Sequence, residues 1–146
     1  MRAALSGKIV MKIRIGVLQA SRRPSKTLVE ISRAIVDEYN SSGFQASLAR
    51  GDEIGLSTYD FLVICSQPAG LGGKLDNKIS DLLGGNNLIG KRCLAVMVKS
   101  GLRPGKALAR LMAELEGEGL VVTMAEIVSD KKGAADTARN APVIRG

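Results

Sequence analysis

The chain has 146 residues, of which 45% are hydrophobic, and a formal net charge of +7 at pH 7. This length fits one domain with a sizeable core, so we expect a single domain over 1–146, with a tail over 1–8 and a short or irregular end over 129–146. No apolar run is long enough to span a membrane, and the first residues lack the apolar stretch of a secretory signal. We therefore expect a cytoplasmic protein with no membrane partner.

Histidine is absent, and the two cysteines, Cys65 and Cys93, lie within apolar runs. The lack of histidine excludes Ser-His-Asp and Cys-His catalysis and histidine-ligated metal sites, so we expect no metal. We expect both cysteines to be reduced thiols of the core. The positive charge is compatible with a solvated basic surface, anionic ligands or acidic partner proteins. Two Tyr and two Phe are the only aromatic residues and offer little for base stacking, so nucleic acid is not the expected partner.

The first half of the chain alternates between strand and helix patterns. Alternating apolar residues predict a strand over 9–18, and apolar residues at helical spacing predict a helix over 27–39. A short strand over 44–49 follows. Residues 51–60 leave room for only one or two helical turns, and the continuous apolar run over 61–65 is typical of a central strand buried on both faces.

The second half continues the alternation. A helical stripe predicts a helix over 75–83, a second apolar run predicts a strand over 92–98, and another stripe predicts a helix over 108–115. A fifth strand starts at 120 and ends at 124 or 128, and a short alanine-rich helix over 133–140 closes the chain. This order predicts an α/β protein with a doubly wound parallel sheet, whose first, third and fourth strands end in loops at one edge.

The loop between the first strand and the first helix is polar and basic. Such a loop is where α/β proteins hold phosphate groups, because free backbone N–H groups and the positive end of the helix dipole point at the same place. It lacks the glycines of dinucleotide-binding folds and of P-loops. It also lacks the acidic pair of receiver domains and the cysteine of low-molecular-weight phosphatases. Its candidate ligand-binding residues are Ser21, Arg22, Arg23, Ser25, Lys26 and Thr27.

Over about 13–128, the order and spacing of the motifs resemble the flavodoxin-like family, which includes NAD(P)H-dependent FMN reductases. The first loop resembles the Ser-x-Arg phosphate loop of the reductase branch. Residues 66–73 resemble the family's Ser/Thr-Pro-x-x-Gly loop, and 99–102 resemble its small glycine-containing loop; both lie near the isoalloxazine ring. Tyr59-Asp60 and Gly90-Lys91 resemble its entries to the third and fourth strands. The resemblance implies a five-stranded sheet of order 2-1-3-4-5 in three α/β/α layers, with a reduced C-terminal helix.

The resemblance also implies FMN as the cofactor. The hydroxyls of Ser21, Ser25 and Thr27 would then bind the phosphate, together with the Arg23 guanidinium and the N–H groups of Lys26 and Thr27. The residues implied to bracket the ring are Pro68, Ala69, Gly70, Leu71, Gly72, Lys99, Ser100, Gly101 and Leu102. No catalytic residue is assigned. The chain would be either an electron carrier or an NAD(P)H-linked reductase, with a redox partner protein that the sequence does not identify.

Three departures from the family leave a second hypothesis open. Neither ring loop contains an aromatic residue to stack on a flavin, the chain is basic where flavodoxins are typically acidic, and the C-terminal helix is short. The alternative is a flavin-free binding or assembly module with an anion site in the first loop. The short helix would leave one sheet face partly uncovered, so we expect a homodimer or a partner protein.

Overall fold

In a computed structural model of the protein, the described residues are 12–49, 55–69, 73–75, 79–83, 86–101 and 103–143. The strands are β1 (Arg14–Gln19), β2 (Gln45–Ala49), β3 (Phe61–Ser66), β4 (Arg92–Val98) and β5 (Val121–Val128). The helices are α1 (Lys26–Ser41), α2 (Ile79–Leu83), α3 (Pro104–Gly117) and α4 (Lys131–Asn140), and a 3-10 turn covers Leu56–Thr58.

The five strands form one sheet of order β2-β1-β3-β4-β5, and every neighbouring pair is parallel. The predicted topology is therefore confirmed. The register aligns Gln19 of β1 with Cys65 of β3, and Cys65 with Val96 of β4. Because these strands end in the same rows of the sheet, the loops after β1, β3 and β4 leave from one edge, which we call the carboxyl edge. The opposite edge is the amino edge.

Helices cover both faces of the sheet. Helix α1 buries Leu28, Ile31 and Ile35 in one core, which it shares with α4, and α2 and α3 pack into a second core on the other face. All six residues of β3 are buried, as expected for a central strand in a three-layer structure. Among the described residues, no helix is both long and apolar enough to cross a membrane.

Several element bounds differ from the predicted ones. Strand β1 begins at Arg14 rather than at residue 9, and residues 9–11 lie outside the described part of the chain. Helix α2 is described from Ile79, with 76–78 also outside. Helix α3 begins four residues before its predicted start, at Pro104, because proline fits the first helical position.

The C-terminal helix α4 is short, as predicted, and it packs mainly against α1. Its small residues Ala134 and Ala138 pack into the α1 core, and Arg139 donates a hydrogen bond to Glu38 of α1 at 3.1 Å. Among the described residues, large hydrophobic side chains are exposed in both edge strands, at Leu48 of β2 and at Val121 and Ile127 of β5, and also at Ile89 before β4. The homodimer stays a prediction.

At the amino edge, Tyr59 is a packing residue. Its ring lies against Gly16, where an added Cβ would be 2.8 Å from Tyr59 Cδ2, and the Arg14 guanidinium lies 4.9 Å from the ring centre. Arg14 and Asp60 exchange hydrogen bonds of 2.8 Å, from Arg14 N–H to the Asp60 carboxylate and from Asp60 N–H to the Arg14 carbonyl. Lys91 Nζ donates to the Tyr59 carbonyl at 2.6 Å. Side chains of the protein itself thus tie this edge together.

Candidate functional site

The loop after β1 ends in a capped helix start. Ser25 has extended backbone angles, and its Oγ accepts the Leu28 N–H at 3.1 Å, so it is the N-cap of α1. The N–H groups of Lys26 and Thr27 have no acceptor among the described residues, as helix geometry requires for a first turn. The 16-residue helix has no acidic residue in that turn. Two amides and an uncompensated positive dipole end therefore face the loop.

Two hydroxyl groups of the first loop accept hydrogen bonds from backbone N–H groups. Ser21 is buried, and its Oγ accepts the Arg23 N–H at 3.3 Å. A hydroxyl that accepts a hydrogen bond still has a proton to donate, so the cap function of Ser25 is compatible with donation to a phosphate. Thr27 is half-buried, whereas Arg23 and Lys26 are exposed. The structure thus brings the predicted first-loop residues together around the start of α1.

Gln67, in the loop after β3, connects two of the loops. The Ser25 N–H donates to Gln67 Oε1 at 3.0 Å, and Gln67 Nε2 donates to the Arg23 carbonyl at 3.1 Å. Next to it, the buried Ser66 donates its hydroxyl to the Ala20 carbonyl at 3.1 Å. Sequence analysis did not identify Gln67 as a site residue. Its position directly after a central strand, at the carboxyl edge, was the signal that could have indicated it.

The rest of the β3 loop turns back toward α3. Pro68 and Ala69 are half-buried, and the Ala69 N–H donates to the Lys74 carbonyl at 2.8 Å. Gly73 has φ +76°, and a Cβ there would lie 2.7 Å from Lys106 Cβ, so only glycine allows this close packing against α3. The predicted ring-binding residues Gly70, Leu71 and Gly72 lie outside the described residues.

The loop after β4 forms the far side of the site. Lys99 donates its N–H to the Val128 carbonyl at 2.7 Å, and Lys99, Ser100 and Gly101 are exposed. Leu102 lies outside the described residues. Arg103 has φ 62° and ψ 52° and is the one non-glycine residue with positive φ in the described part of the chain. Left-handed backbone at a non-glycine residue costs roughly 1–2 kcal/mol, and no feature of the sequence marked this position.

Neither ring loop contains an aromatic residue. Tyr39 and Phe44 contact each other edge to face at 5.7 Å, Tyr59 lies at the amino edge, and Phe61 is fully buried at the start of β3. Aromatic stacking contributes about 0.5–1.5 kcal/mol beyond burial. The residues around the start of α1 are of types that bind phosphate groups, whereas the described residues of the two ring loops include no aromatic side chain.

The cysteines are core residues and take no part in the site. Burial raises the pKa of both Cys65 and Cys93 to about 12, although the Ser32 side chain opposes this for Cys65 and the Glu116 carboxylate adds to it for Cys93. Both thiols therefore stay protonated at neutral pH and are not nucleophiles. Among the described residues, no group of three or more Cys, Asp or Glu could hold a metal ion.

Comparison with known proteins gives structural matches alone. No protein-family profile and no curated protein matches the sequence. Flavodoxin 1 from Bacillus cereus, in its oxidised form, has a TM-score of 0.65 at 15% identity, over 86% of this chain and 95% of its own. A flavodoxin from Streptococcus pneumoniae has a TM-score of 0.65 at 16% identity, over 86% and 95% of the two chains. Two-electron reduced flavodoxin from Megasphaera elsdenii has a TM-score of 0.63 at 14% identity, over 87% of this chain and 99% of its own.

These matches cover nearly the full length of the solved flavodoxins, with the same strand order and flanking helices. Their identities are too low to carry more than the architecture. The chain has the flavodoxin-like fold, in a sequence that has diverged widely from the solved flavodoxins.

Proposed function

We propose that the protein binds FMN at the carboxyl edge and transfers electrons through it. The observation that carries this proposal is the start of α1, where the amides of Lys26 and Thr27 and the hydroxyl of Ser25 lie at the positive end of a helix with no acidic residue in its first turn. Arg23, exposed in the same loop, adds a guanidinium that can bind two phosphate oxygens.

The remaining loops would hold the ring. In this proposal, Pro68 and Ala69 of the loop after β3 would contact one side of the ring, and Lys99, Ser100 and Gly101 of the loop after β4 the other. Bound FMN supplies the redox chemistry, while the protein supplies binding, orientation and electrostatics. In this proposal, the exposed Lys99 ammonium stabilises negative charge near the cofactor.

A comparison of FMN with riboflavin tests the phosphate part of the site. The purified protein is titrated with each ligand, and the visible spectrum and flavin fluorescence are recorded. Charge-assisted hydrogen bonds contribute about 1.5–3 kcal/mol each, so we expect FMN to bind at least about tenfold more tightly than riboflavin. Equal affinities, or no spectral change with FMN, would contradict the proposal.

The electron donor is tested on the FMN-loaded protein under anaerobic conditions. Rapid bleaching of the flavin by NADH or NADPH supports a reductase. Reduction by dithionite alone, with reversible reoxidation, supports an electron carrier.

A second candidate function is a flavin-free anion-binding module, favoured by the absence of aromatic residues from both ring loops. In that case the first loop would bind a phosphate monoester of another kind. Thermal shifts with inorganic phosphate, ribose 5-phosphate and FMN separate the two functions. Equal stabilisation by all three supports the anion module, and a distinctly larger shift with FMN supports the flavoprotein.

A further inference from the structure

Exposed basic side chains surround the candidate site. On the side of the first loop, Arg23 and Lys26 follow β1, and Lys74 follows β3. All three are exposed.

The basic surface continues along the other half of the carboxyl edge. Lys99, Arg103 and Lys106 follow β4, and Lys131 and Lys132 follow β5 at the start of α4. These five are exposed as well. We call the eight residues of the two groups the basic edge.

In the described part of the chain, acidic residues are fewer than basic ones at this edge. They are Asp130, whose carboxylate accepts the Gly133 N–H at 2.8 Å, and the exposed Glu126 of β5, which pairs with Val96. Asp52, Glu53 and Asp76 lie outside the described part of the chain. The described residues thus concentrate positive charge at the edge that carries the site.

At the amino edge the two signs are mixed. Lys12, Arg14, Lys91 and Arg92 occur there with Asp60, Glu116 and Glu118. The positive charge is therefore a property of one edge of the sheet and not of the whole surface.

Contacts between the loops fix the basic edge as one surface. Gln67 bonds to the backbone of Arg23, Gly73 packs against Lys106, and the Lys99 N–H bonds to the end of β5. Because these contacts link the loop backbones, the basic residues are attached to one connected surface, which presents a single positive patch to a partner.

We propose that the basic edge is the docking surface for an acidic electron-transfer protein, which would approach over the candidate cofactor site. The electron-transfer part rests on the function proposed above, whereas the attraction of an acidic protein does not. A patch of one sign steers oppositely charged proteins and raises their association rate, and this effect falls steeply with ionic strength. A protein partner is favoured over nucleic acid because no aromatic residue occurs in these loops to stack on bases.

The test uses the full chain as purified, with its flavin content recorded. Dissociation constants are measured for an acidic [2Fe–2S] ferredoxin, for basic cytochrome c and for a short DNA duplex. We expect the ferredoxin to bind at about 50 mM salt and to lose at least about tenfold in affinity at about 500 mM, with cytochrome c at least about tenfold weaker at low salt. No binding of the ferredoxin at low salt overturns the proposal. Tighter binding of DNA than of ferredoxin overturns it too, and identifies a nucleic-acid surface.

Matched charge reversals locate the effect. The edge variant carries Lys106→Glu and Lys132→Glu, and the control carries Lys12→Glu and Arg33→Glu, which change the net charge equally at exposed positions away from the edge. We expect about tenfold weaker ferredoxin binding for the edge variant at low salt and less than about twofold for the control. Equal weakening by both would mean that only total charge matters, and would overturn the proposal.

The two proposals fail in different ways. None of the four substituted residues is assigned to FMN, so both variants should keep the FMN affinity of the parent chain. If the chain binds no FMN but the two variants bind ferredoxin as expected, the docking proposal stands and the electron-transfer proposal is rejected. If the chain binds FMN but the two variants do not differ in ferredoxin binding, FMN binding stands and the docking proposal is rejected.

Discussion

The side-chain amide of Gln67 holds the backbone on both sides of Pro24, accepting the Ser25 N–H at 3.0 Å and donating to the Arg23 carbonyl at 3.1 Å. One side chain from the loop after β3 thus fixes the shape of the loop after β1. This arrangement preorganises the start of α1, so that a phosphate does not have to order the loop as it binds.

Gln67→Leu should weaken FMN binding by about tenfold, because two hydrogen bonds worth about 1 kcal/mol each no longer hold the loop. Asn40→Leu is the matched control, since Asn40 makes the same pair of bonds to both backbone groups of Ala46, away from the carboxyl edge. Fluorescence titration gives the affinity, and urea unfolding gives the stability. If Asn40→Leu lowers FMN affinity as much, Gln67 acts through general stability alone.

Ser25→Asp separates the cap from the phosphate contact. Aspartate is as good an N-cap as serine, so stability should change by less than about 0.5 kcal/mol. The new carboxylate would repel the phosphate, and we expect FMN affinity to fall by more than about tenfold.

The control for the cap is Asp130→Ala, which removes the side-chain cap of α4. It should cost about 1 kcal/mol of stability. Because this substitution removes a negative charge, it should not lower the affinity for FMN. Unchanged FMN affinity in Ser25→Asp would show that no phosphate binds at this helix start.

Stability should fall as the pH rises above about 8.5. Burial raises the pKa of Cys65 and Cys93 to about 12 in the folded protein, whereas an unfolded thiol ionises near 8.5. Below that pH both states are protonated and the thiols have no effect. Between about 8.5 and 12 the unfolded state loses protons first, so each thiol lowers the free energy of unfolding by roughly 1 kcal/mol per pH unit.

Urea unfolding at about pH 8 and about pH 10 measures this effect, with an expected loss of roughly 2–3 kcal/mol from the two thiols. A variant with Cys65→Ala and Cys93→Ala starts from a lower stability and should show a much flatter dependence on pH. An equally steep loss in that variant would assign the effect to other groups.

Gly16→Ala should destabilise the fold without touching the site. The added Cβ would lie 2.8 Å from Cδ2 and 2.9 Å from Cγ of Tyr59, whose ring is buried and cannot easily move. Overpacking of this kind costs about 1–3 kcal/mol.

Gly117→Ala is its control, because the last residue of α3 has no heavy atom within 4 Å of the added Cβ. Alanine in place of glycine within a helix should raise the free energy of unfolding by about 0.4–1 kcal/mol. Equal stabilities of the two variants, measured by urea unfolding, would contradict the packing described for Tyr59.

The central part of the fold could be predicted closely from the sequence. Strand β4 has the predicted bounds, Arg92–Val98, because a strand buried on both faces is apolar throughout and ends where the polar residues begin. The start of β1 could not be placed at Arg14. The alternating pattern of this strand begins at residue 9, before the observed start. The bonds between Arg14 and Asp60 join residues 46 positions apart, so no local pattern indicates them.

The first loop of the candidate site was predictable, since a polar, basic loop before a helix has a direct physical meaning. The contacts that shape the site were not. Gln67 and Ser25 are 42 positions apart, and only the strand order brings them together. The left-handed backbone of Arg103 depends on how its loop meets α3, which no local pattern encodes.

The two edges of the sheet differ in what holds them. Arg14, Tyr59, Asp60 and Lys91 tie the amino edge with hydrogen bonds and ring contacts of the protein itself. At the carboxyl edge, the first amides of α1 have no acceptor among the described residues. Amide hydrogen exchange should therefore be slow at Asp60 and fast at Lys26 and Thr27 in the ligand-free protein. A bound phosphate would slow the exchange of those two amides, which makes them direct reporters of occupancy in any ligand screen.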